Sequence, residues 1–585
     1  MMINNDYDCF VSTLARLKES SKDAVVSADS KSIDEYTMYM HVNRPVQDKF
    51  VSILQGTYNT DHAELILLCG SVGDGKSHML SYCKSKYPDM MGKFYVHNDS
   101  TASLYVDKPA SYTLKEIMED FTDEKIECSN KKVILAINLG TLSNFLEEDT
   151  DNRFAKLKKY VEDIGILDEQ VGKDNDDKFF HSVNFADYHI YELSEQGAGS
   201  SYIQGILEKI TLKEDKNVFY ASYCENCKTC HAYEDCPVRT NYELLSAPIM
   251  QKGIIEALIE NIVKNKLIVS TRALLNMIYE ILVDERAWER GSLGPRKEPE
   301  KMTSIAYCEA LLPNVLFGKK NALGVLGSMY TIDPMRIRNE CIDDFFVYYE
   351  NTNDIEEIFE EHLKGYFSLP TRLQNMDFST EPMHSVKESV LRLFVRTCWL
   401  TKQKQDLLPE DRDYIAYMKA LYFWNKGICK KLKTIYGDVG KGVLLWNGRA
   451  DMDEMQLLPG NKKVGYHLVQ KIHISPVFNN LPSYDNEILC SFRDELKLRY
   501  KDSNNNVAEL DLDFVLYILL KKVLKGYVPS MNDKRVNMKC VEFVNKISQG
   551  GSKMSQLYIR ELSQKAPQDY MISYDEDLGY SFEVN

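Results

Sequence analysis

The stretch GSVGDGKS at residues 70–77 fits the pattern G-x-x-x-x-G-K-[ST] at every fixed position. The apolar run ELILLC directly precedes it and is typical of a short buried strand, and the residues after it can continue as a helix. A strand that turns through glycines into a helix start directs several backbone N–H groups at one point, where the helix dipole favours negative charge. The stretch, called here the glycine loop, therefore predicts a phosphate-binding site; the alternative is a turn without a ligand.

Each part of the glycine loop has an expected role in binding ATP with Mg²⁺. Its glycines allow positive φ angles and let the backbone approach phosphate oxygens without a Cβ clash. Lys76 is expected to reach the β- and γ-phosphates, and the Ser77 hydroxyl is expected to bind Mg²⁺. The predicted nucleotide-binding residues are Gly70, Ser71, Val72, Gly73, Asp74, Gly75, Lys76, Ser77 and His78.

Length and composition limit the classes of protein to consider. A chain of 585 residues has room for several domains, and 44% hydrophobic residues can form well-buried cores. The net charge of −16 argues against bulk attraction to nucleic acid, although a local basic groove or a basic partner stays possible. The sequence has no secretory signal and no apolar run of about 18 residues, so we expect a cytoplasmic protein without membrane contact.

The pattern of elements predicts an α/β protein that begins with a parallel-sheet core. Strands are expected at 64–69, 93–98, 132–138, 179–184 and 189–193, separated by helical segments. A further strand is expected at 442–446. The predicted organisation is a helical N-terminal segment at 1–60, a P-loop NTPase core of AAA+-like type at 61–247, a helical lid at 248–295, a mainly helical domain at 300–440 and an α+β domain at 441–585.

The acid that ATP hydrolysis normally requires is missing from its expected place. The apolar strand at 132–138 has the character of a Walker B strand but ends in Asn138, which can bond a metal-bound water without supplying negative charge. Either another acid (Asp99, Glu147 or Glu148) takes this role, or hydrolysis is weak and the fold is a nucleotide-responsive switch. ATP binding is therefore predicted on stronger grounds than ATP turnover.

Two further polar residues fit an AAA+-like catalytic site. Asn184 ends the fourth expected strand and is a candidate for contact with the γ-phosphate, although a strand-end Asn also often bonds its own backbone. Arg272 begins a helix of the expected lid, where a guanidinium would stabilise developing phosphate charge; the alternative is a solvated arginine. The predicted catalytic set is Lys76, Asn138, Asn184 and Arg272. Arg286 and Arg290 are candidate arginine fingers that act on a second copy, so a homo-oligomer is a possibility.

A cluster of cysteines inserted at about 222–238, called here the cysteine segment, predicts a metal centre. Cys224, Cys227, Cys230 and Cys236 supply the four thiolates of a closed Zn²⁺ site, with His231 as an alternative fourth ligand. A [4Fe–4S] cluster is the second choice, although a bacterial ferredoxin would have three residues, and not five, before the last cysteine. The remaining cysteines are scattered, which fits a reducing compartment. Unliganded thiols are the remaining alternative.

Several longer motifs resemble the DptF family, the ATPase-like component of DNA phosphorothioation-dependent restriction systems. These motifs are CGSVGDGKSH at 69–78, FYVHNDST at 94–101, AINLGTLSNF at 136–145, CPVRTNYELL at 236–245 and GYVPSMNDK at 526–534. The resemblance implies a subunit of a bacterial antiviral defence complex that damages DNA lacking sulfur in its backbone. It also implies partner subunits, including a helicase-like one, and a nucleotide-site role for Lys76 and Ser77.

The leading hypothesis is an ATPase subunit that couples nucleotide state to DNA surveillance or to partner assembly. The alternatives are a non-hydrolysing, nucleotide-switched scaffold and a signalling NTPase. No nuclease motif is evident in the sequence. DNA contact is expected to be local or delegated to partners, with two modest basic clusters as candidates: Lys430, Lys431 and Lys433, and Lys462 and Lys463.

Overall fold

The computed structural model is a mixed α/β protein made of two compact units. One unit comprises residues 1–192 and 198–410, and the other comprises residues 193–197 and 411–585. The structure describes residues 9–18, 35–70, 74–98, 110–167, 177–285, 299–320, 323–337, 340–352, 354–374, 376, 378, 383–403, 408, 410–448, 454–457, 466–502, 504–550, 556–561, 569–575 and 577–584.

A four-stranded parallel sheet is the centre of the first unit. Its strands are β1 (Glu64–Cys69), β2 (Tyr95–His97), β3 (Lys132–Ile137) and β4 (Phe180–Asn184), in the spatial order β2-β3-β1-β4. Leu65 of β1 pairs with Val133 on one side and Phe180 on the other. The expected parallel α/β sheet is confirmed, and β3 lies between β1 and β2.

Helices cover both faces of this sheet, which explains why every residue of β1 is buried. Leu65 and Leu67 pack with the helices Ala110–Met118, Leu139–Glu147 and Ala155–Ile164 on one face. Ile66 and Leu68 pack with the helices Pro45–Thr57 and Lys76–Lys86 on the other face. An apolar run without alternation is the pattern expected of a parallel strand that is buried on both faces.

The rest of the first unit is almost entirely helical in its described part. The remaining α-helices are Phe10–Leu14, Glu35–Met40, Pro88–Met91, Ser201–Thr211, Val218–Ser222, Pro237–Leu245, Pro248–Asn265, Thr271–Leu282, Ser304–Glu309, Leu312–Gly318, Val325–Met329, Glu340–Glu350, Ile355–Leu363, Thr371–Gln374 and His384–Thr401. A π-helix spans Tyr223–Cys227, and 3₁₀ turns span Ala15–Leu17, Glu119–Phe121, Phe185–Asp187, Pro299–Lys301, Tyr330–Ile332 and Pro334–Arg336.

The second unit combines helices with antiparallel sheets. A five-stranded sheet has the spatial order Gly579–Val584, Asp569–Asp575, Gln556–Glu561, Tyr466–Lys471 and Glu454–Gln456, and a three-stranded sheet has the order Val507–Leu512, Leu496–Lys501 and Ser475–Val477. The helices are Arg412–Asn425, Lys433–Leu444, Phe514–Leu524, Met531–Val536 and Met538–Gly550, with a 3₁₀ turn at Cys429–Lys431.

Two strand predictions are wrong. The strand expected at 189–193 does not join the parallel sheet; a shorter strand, Glu192–Ser194, pairs with Gly197–Gly199 instead. The first three residues of the run at 442–446 are the end of the helix Lys433–Leu444, where Gly442 lies close to the Leu520 side chain. A run of five apolar residues is too short to show the hydrophobic periodicity that distinguishes a buried strand from the buried end of a helix.

The unit boundary at residues 410 and 411 falls inside the segment 300–440, which the sequence analysis treats as one domain. The finer division into core, lid and C-terminal domains stays a prediction. Over the described ranges, no helix has both the length and the apolar character that crossing a bilayer requires.

A glycine in the helix Pro248–Asn265 provides a test of the packing in the first unit. A Cβ on Gly253 would lie 2.7 Å from the carbonyl carbon of Leu400, which belongs to the helix His384–Thr401. Because this neighbour is backbone, we expect Gly253→Ala to lower the free energy of unfolding by about 1–3 kcal/mol. Thermal unfolding monitored by circular dichroism measures the loss.

Gly56 is the matched control because it is a helical glycine that is exposed and has open space around it. Gly56→Ala is expected to leave the stability unchanged or to raise it by up to about 1 kcal/mol. Equal melting temperatures for the two variants would contradict the close helix contact at Gly253.

Candidate functional site

The glycine loop connects the carboxyl end of β1 to the helix Lys76–Lys86. Gly70 donates its N–H to the carbonyl of Ile137 at 3.3 Å, so the loop begins in register with β3. A Cβ on Gly70 would lie 2.8 Å from Oδ2 of Asp74 and 2.9 Å from Cβ of Phe185, which leaves no room for a side chain. Gly75 caps the helix with φ of +95°, a conformation that favours glycine.

The two side chains that follow Gly75 both lie at the edge of the sheet where the strands end. The Lys76 ammonium donates a hydrogen bond to the Gly70 carbonyl at 2.7 Å, so it lies folded back over the loop. The Ser77 hydroxyl accepts a hydrogen bond from Nδ2 of Asn98 at 3.0 Å. A cation, a hydroxyl and the start of an 11-residue helix therefore meet at one edge of the sheet.

Asn98 is a site residue that the sequence analysis missed. It directly follows β2, and its Oδ1 atom is buried without a hydrogen-bond partner among the described residues. A buried amide oxygen without a partner is costly, and such atoms often mark the place of a water or an ion. The sequence indicates this residue through the polar pair that ends FYVHND, directly after the expected strand. A role near the metal was instead expected at Asn138, because β3 has the longer apolar run.

Asn138 and Asn184 both cap the turns that follow their own strands. Oδ1 of Asn138 accepts from the N–H of Thr141 at 2.7 Å and so caps the helix Leu139–Glu147. Oδ1 of Asn184 accepts from the N–H of Ala186 at 3.2 Å, and its Nδ2 donates to Asp187 at 3.0 Å. These bonds account for both residues structurally, and their roles toward a phosphate stay predictions.

The candidate replacement acids Glu147 and Glu148 come at the end of the helix that follows β3. They stand at the end of the nine-residue helix Leu139–Glu147, which rises by about 13 Å from its start beside the sheet edge. Glu147 accepts a hydrogen bond from Ser143, and Glu148 pairs with Lys115 at 3.7 Å. These contacts give both acids local partners, and a role towards a metal at Ser77 stays a prediction.

A different acid lies close to the start of the loop. Burial raises the pKa of Cys69 to about 12, the nearby Lys76 lowers it and the nearby Asp187 raises it. Cys69, the last residue of β1, pairs with Asn184 of β4, and Nδ2 of Asn184 donates to Asp187 at 3.0 Å. Asp187 follows β4 and is a carboxylate at the functional edge that the sequence analysis did not consider.

Arg44 connects the glycine loop to two neighbouring segments. Its guanidinium donates to the carbonyl of Asp74 at 3.0 Å and to the carbonyl of Tyr188 at 3.2 Å, and it stands 5.2 Å from the ring centre of Tyr202. The Tyr202 hydroxyl lies 2.8 Å from Oγ1 of Thr271, the first residue of the helix Thr271–Leu282. Arg44 directly precedes Pro45, the first residue of the helix Pro45–Thr57, and its sequence position gives no indication of these contacts.

Arg272 follows Thr271 in that helix and is exposed, without a hydrogen bond or ion pair to any described residue. The start of this helix, from which Arg272 was predicted to stabilise phosphate charge, is connected to the loop through Tyr202 and Arg44. Other candidate residues lie outside the described residues, so the structure does not test them: Ser71, Val72, Gly73, Asp99, Arg286, Arg290, Lys462 and Lys463.

His78, the last predicted residue of the nucleotide site, belongs to a stack of rings. Its Nε2 atom lies 3.0 Å from Nδ1 of His41, and the His41 ring stacks on Tyr82 with 3.5 Å between ring centres. Burial, together with the charges of His78, Lys86 and Lys209, lowers the pKa of His41 to about 4. Burial also lowers the pKa of His78, so both rings are neutral at pH 7.

The cysteine segment follows the helix Val218–Ser222. Cys224 and Cys227 lie in the π-helix, Cys230 lies in an exposed turn beside the exposed His231, and Cys236 precedes the helix Pro237–Leu245. All fourteen cysteines lie in the described ranges, and none of them forms a disulfide bond. Within the described part of the chain, no group of three or more His, Cys, Asp or Glu side chains is already arranged to hold a metal ion. The Zn²⁺ or iron–sulfur site stays a prediction.

Comparisons with protein-family models, with curated proteins and with solved structures give no match to this chain.

The neutral histidine pair predicts a loss of stability in acid. Because the folded pKa values of His41 and His78 lie below the ordinary value of 6.5, the unfolded chain binds more protons between pH 6.5 and about 4. Stability should therefore fall as the pH is lowered through this range. We expect His41→Phe, which keeps a ring on Tyr82 but cannot be protonated, to lose less melting temperature than the wild type between about pH 7.5 and about pH 5.

His384→Phe is the control, because His384 is an exposed histidine of the same unit. It should show the wild-type dependence on pH. If His41→Phe also behaves as the wild type does, His41 does not contribute to acid sensitivity.

Proposed function

We propose that the chain binds ATP with Mg²⁺ at the glycine loop. The observation that carries this proposal is the placement of the Lys76 ammonium and the Ser77 hydroxyl behind Gly75, at the start of a helix that follows the central strand of a parallel sheet. In open α/β sheets, ligands bind outside the carboxyl ends of the strands, and helix starts favour phosphate. The finer assignment as a P-loop NTPase of AAA+-like type belongs to this proposal.

In the proposed complex, Lys76 exchanges its hydrogen-bond acceptor. The ammonium that donates to the Gly70 carbonyl turns to the β- and γ-phosphates, where it forms stronger, charge-assisted hydrogen bonds. The Gly70 carbonyl is then released from its only described side-chain donor. This exchange gives the loop two arrangements that differ in the position of the Lys76 side chain.

The Ser77 hydroxyl and Asn98 are the residues that would hold Mg²⁺ and its waters. The buried Oδ1 atom of Asn98, unpaired within the described chain, suits a metal-bound water, and its Nδ2 already orients Ser77. The ion would neutralise phosphate charge when it is bound. Asn98 would hold the Ser77 oxygen towards the phosphates.

Arg44 offers a connection from the loop to the helical part of the first unit. It binds the carbonyl of Asp74, a loop residue, and its contact with Tyr202 leads to the helix Thr271–Leu282. A shift of the loop backbone on nucleotide binding would change these bonds. We propose that the chain transmits its nucleotide state to other subunits in this way.

The resemblance to the DptF family supports the biological role. We propose that the chain is a cytoplasmic subunit of a phosphorothioation-dependent DNA restriction complex, and that it couples ATP to partner assembly or DNA surveillance. Its partners would include a helicase-like subunit. The net charge of −16 favours DNA contact through partners, although Lys430, Lys431 and Lys433 are exposed.

A non-hydrolysing switch is the second candidate, because the described group that contacts Ser77 is a neutral amide and not a carboxylate. Turnover that duplex DNA stimulates and Lys76→Ala abolishes would support an ATPase. Retention of ATP without turnover, with DNA and the partner subunits present, would support the switch.

Removal of the Lys76 ammonium tests the nucleotide site. We expect Lys76→Ala to weaken ATP binding by about 10- to 150-fold, since charge-assisted hydrogen bonds contribute about 1.5–3 kcal/mol. Isothermal titration calorimetry with the non-hydrolysable analogue AMP-PNP measures the change. Lys84→Ala, in the last turn of the same helix, is the matched control and should bind as the wild type does. Wild-type protein that binds no nucleotide would overturn the proposal.

The two asparagines that follow β2 and β3 can be separated by Mg²⁺ dependence. We expect Asn98→Ala to reduce the gain in ATP affinity from Mg²⁺ by about 10-fold, because residues that orient metal ligands contribute on this scale. Asn138→Ala should retain the Mg²⁺ effect and lose about 0.5–2 kcal/mol of stability through its helix cap. The reverse result would place the metal contact at the end of β3.

A further inference from the structure

The five-stranded sheet of the second unit ends in a strand that, among the described residues, pairs on one side only. This strand, Gly579–Val584, is called here the edge strand, and it pairs antiparallel with the strand Asp569–Asp575. It contains no proline, lysine or arginine, residues that commonly protect a sheet edge from pairing with another chain. Its outer N–H and C=O groups can therefore form hydrogen bonds with a further strand.

One face of the edge strand is apolar and exposed. Cross-strand pairing brings three residues of each strand to this face: Tyr570, Ile572, Tyr574, Tyr580, Phe582 and Val584. The ring centres of Tyr574 and Tyr580 are 4.9 Å apart, and those of Tyr570 and Phe582 are 5.4 Å apart. Tyr580 is nevertheless 80% exposed and Phe582 is 60% exposed. The rings contact one another and still leave a large apolar surface uncovered within the described chain.

The same face continues towards the middle of the sheet. On the strand Gln556–Glu561, Leu557 lies opposite Ile572 and Ile559 lies opposite Tyr570. Both of these aliphatic residues are half-buried, whereas Phe582 is exposed. The uncovered apolar surface is therefore largest at the edge strand, where an added strand would lie.

The two outer strands also form an acidic ribbon. Residues 569–585 contain five acidic residues and no basic residue. Asp575 closes the turn between the strands, because it accepts the N–H groups of Asp577 at 2.9 Å and Leu578 at 3.0 Å. Glu583 lies on the face opposite the rings and is exposed. The side chains of Asp577 and Glu583 have no hydrogen bond or ion pair to any described residue.

A second sheet edge of the same unit differs in charge. The strand Val507–Leu512 lies at one edge of the three-stranded sheet and also carries two acids. Glu509 pairs with Arg499 at 2.9 Å, and Asp511 pairs with Lys539 at 3.2 Å. The acids of that edge are neutralised within the chain, whereas Glu583 of the edge strand leaves its charge available to a partner.

We propose that the edge strand docks an extended segment of a partner protein in which apolar and basic residues alternate. The segment would add a strand to the sheet through backbone hydrogen bonds. Its apolar side chains would cover Tyr580 and Phe582, and its basic side chains would pair with Glu583 on the other face. A second copy of this chain is disfavoured as the occupant, because it would bring one acidic ribbon against another.

The edge strand belongs to the second unit, so its use as a docking site does not depend on the proposed nucleotide site. A failure of AMP-PNP binding would leave the docking site unaffected, and a failure of docking would leave the nucleotide site unaffected.

A synthetic peptide of alternating valine and lysine, with blocked ends, tests the docking site on the full chain. Fluorescence polarisation of the labelled peptide measures binding. We expect a peptide of alternating valine and glutamate to bind at least about 10-fold more weakly, because like charges that face each other across a strand pair are destabilising.

Two substitutions locate the binding to the edge strand. We expect Phe582→Ser and Glu583→Lys each to weaken binding of the valine–lysine peptide by about 5-fold, through loss of an apolar contact or of an ion pair. Glu542→Lys is the matched control, because Glu542 is an exposed acid of the helix Met538–Gly550 and its replacement makes the same change in net charge. It should bind as the wild type does. Circular dichroism establishes that the variants fold.

Hydrogen exchange on the wild type makes the test independent of the variants. The valine–lysine peptide should slow exchange of the amides in Gly579–Val584 and not of those in Val507–Leu512. Wild-type protein that does not bind this peptide, or equal losses in Glu542→Lys and Glu583→Lys, would overturn the proposal. A dimer in sedimentation that Phe582→Ser dissociates would assign the edge strand to a second copy and would also overturn it.

Discussion

The site at the carboxyl edge depends on one constraint, the burial of β1 on both faces of the parallel sheet. Because the strand is central and entirely buried, the chain must leave it at the sheet edge, and helices on both sides limit where it can go. Gly70 has no space for a side chain, and Gly75 supplies the positive φ that begins the next helix. The positions of Lys76 and Ser77 follow from this turn.

The order of the strands decides which polar groups reach Ser77. β3 lies between β1 and β2, yet the residue that contacts Ser77 comes from the end of β2. Asn138, at the end of the adjacent β3, uses its carbonyl oxygen to cap its own helix. A neutral amide at the proposed metal site is compatible with nucleotide binding, while hydrolysis would need negative charge from a further residue.

Two sets of contacts join segments of the first unit that are distant in the sequence. Arg44 joins the glycine loop to Tyr202 and the start of a later helix, and the helix after Cys9 joins the N-terminal segment to the cysteine segment. Each connection uses a few polar or aromatic contacts on a helical scaffold. A shift of the loop backbone at Asp74 would alter the bonds of Arg44, so the first connection is the route by which the proposed nucleotide site would act on the later helix.

Local sequence pattern was sufficient to predict the buried strand β1, the turn through glycines, the helix that follows, and the parallel core of alternating strands and helices. Such features depend on residue period and backbone freedom, which neighbouring residues specify. Packing between distant segments was needed to establish that Asn98 contacts Ser77, that Arg44 binds the loop, that the helix after Cys9 contacts the cysteine segment, and that residues 442–444 end a helix. Contacts of this kind form between segments that are distant in the sequence, so the pattern of neighbouring residues does not predict them.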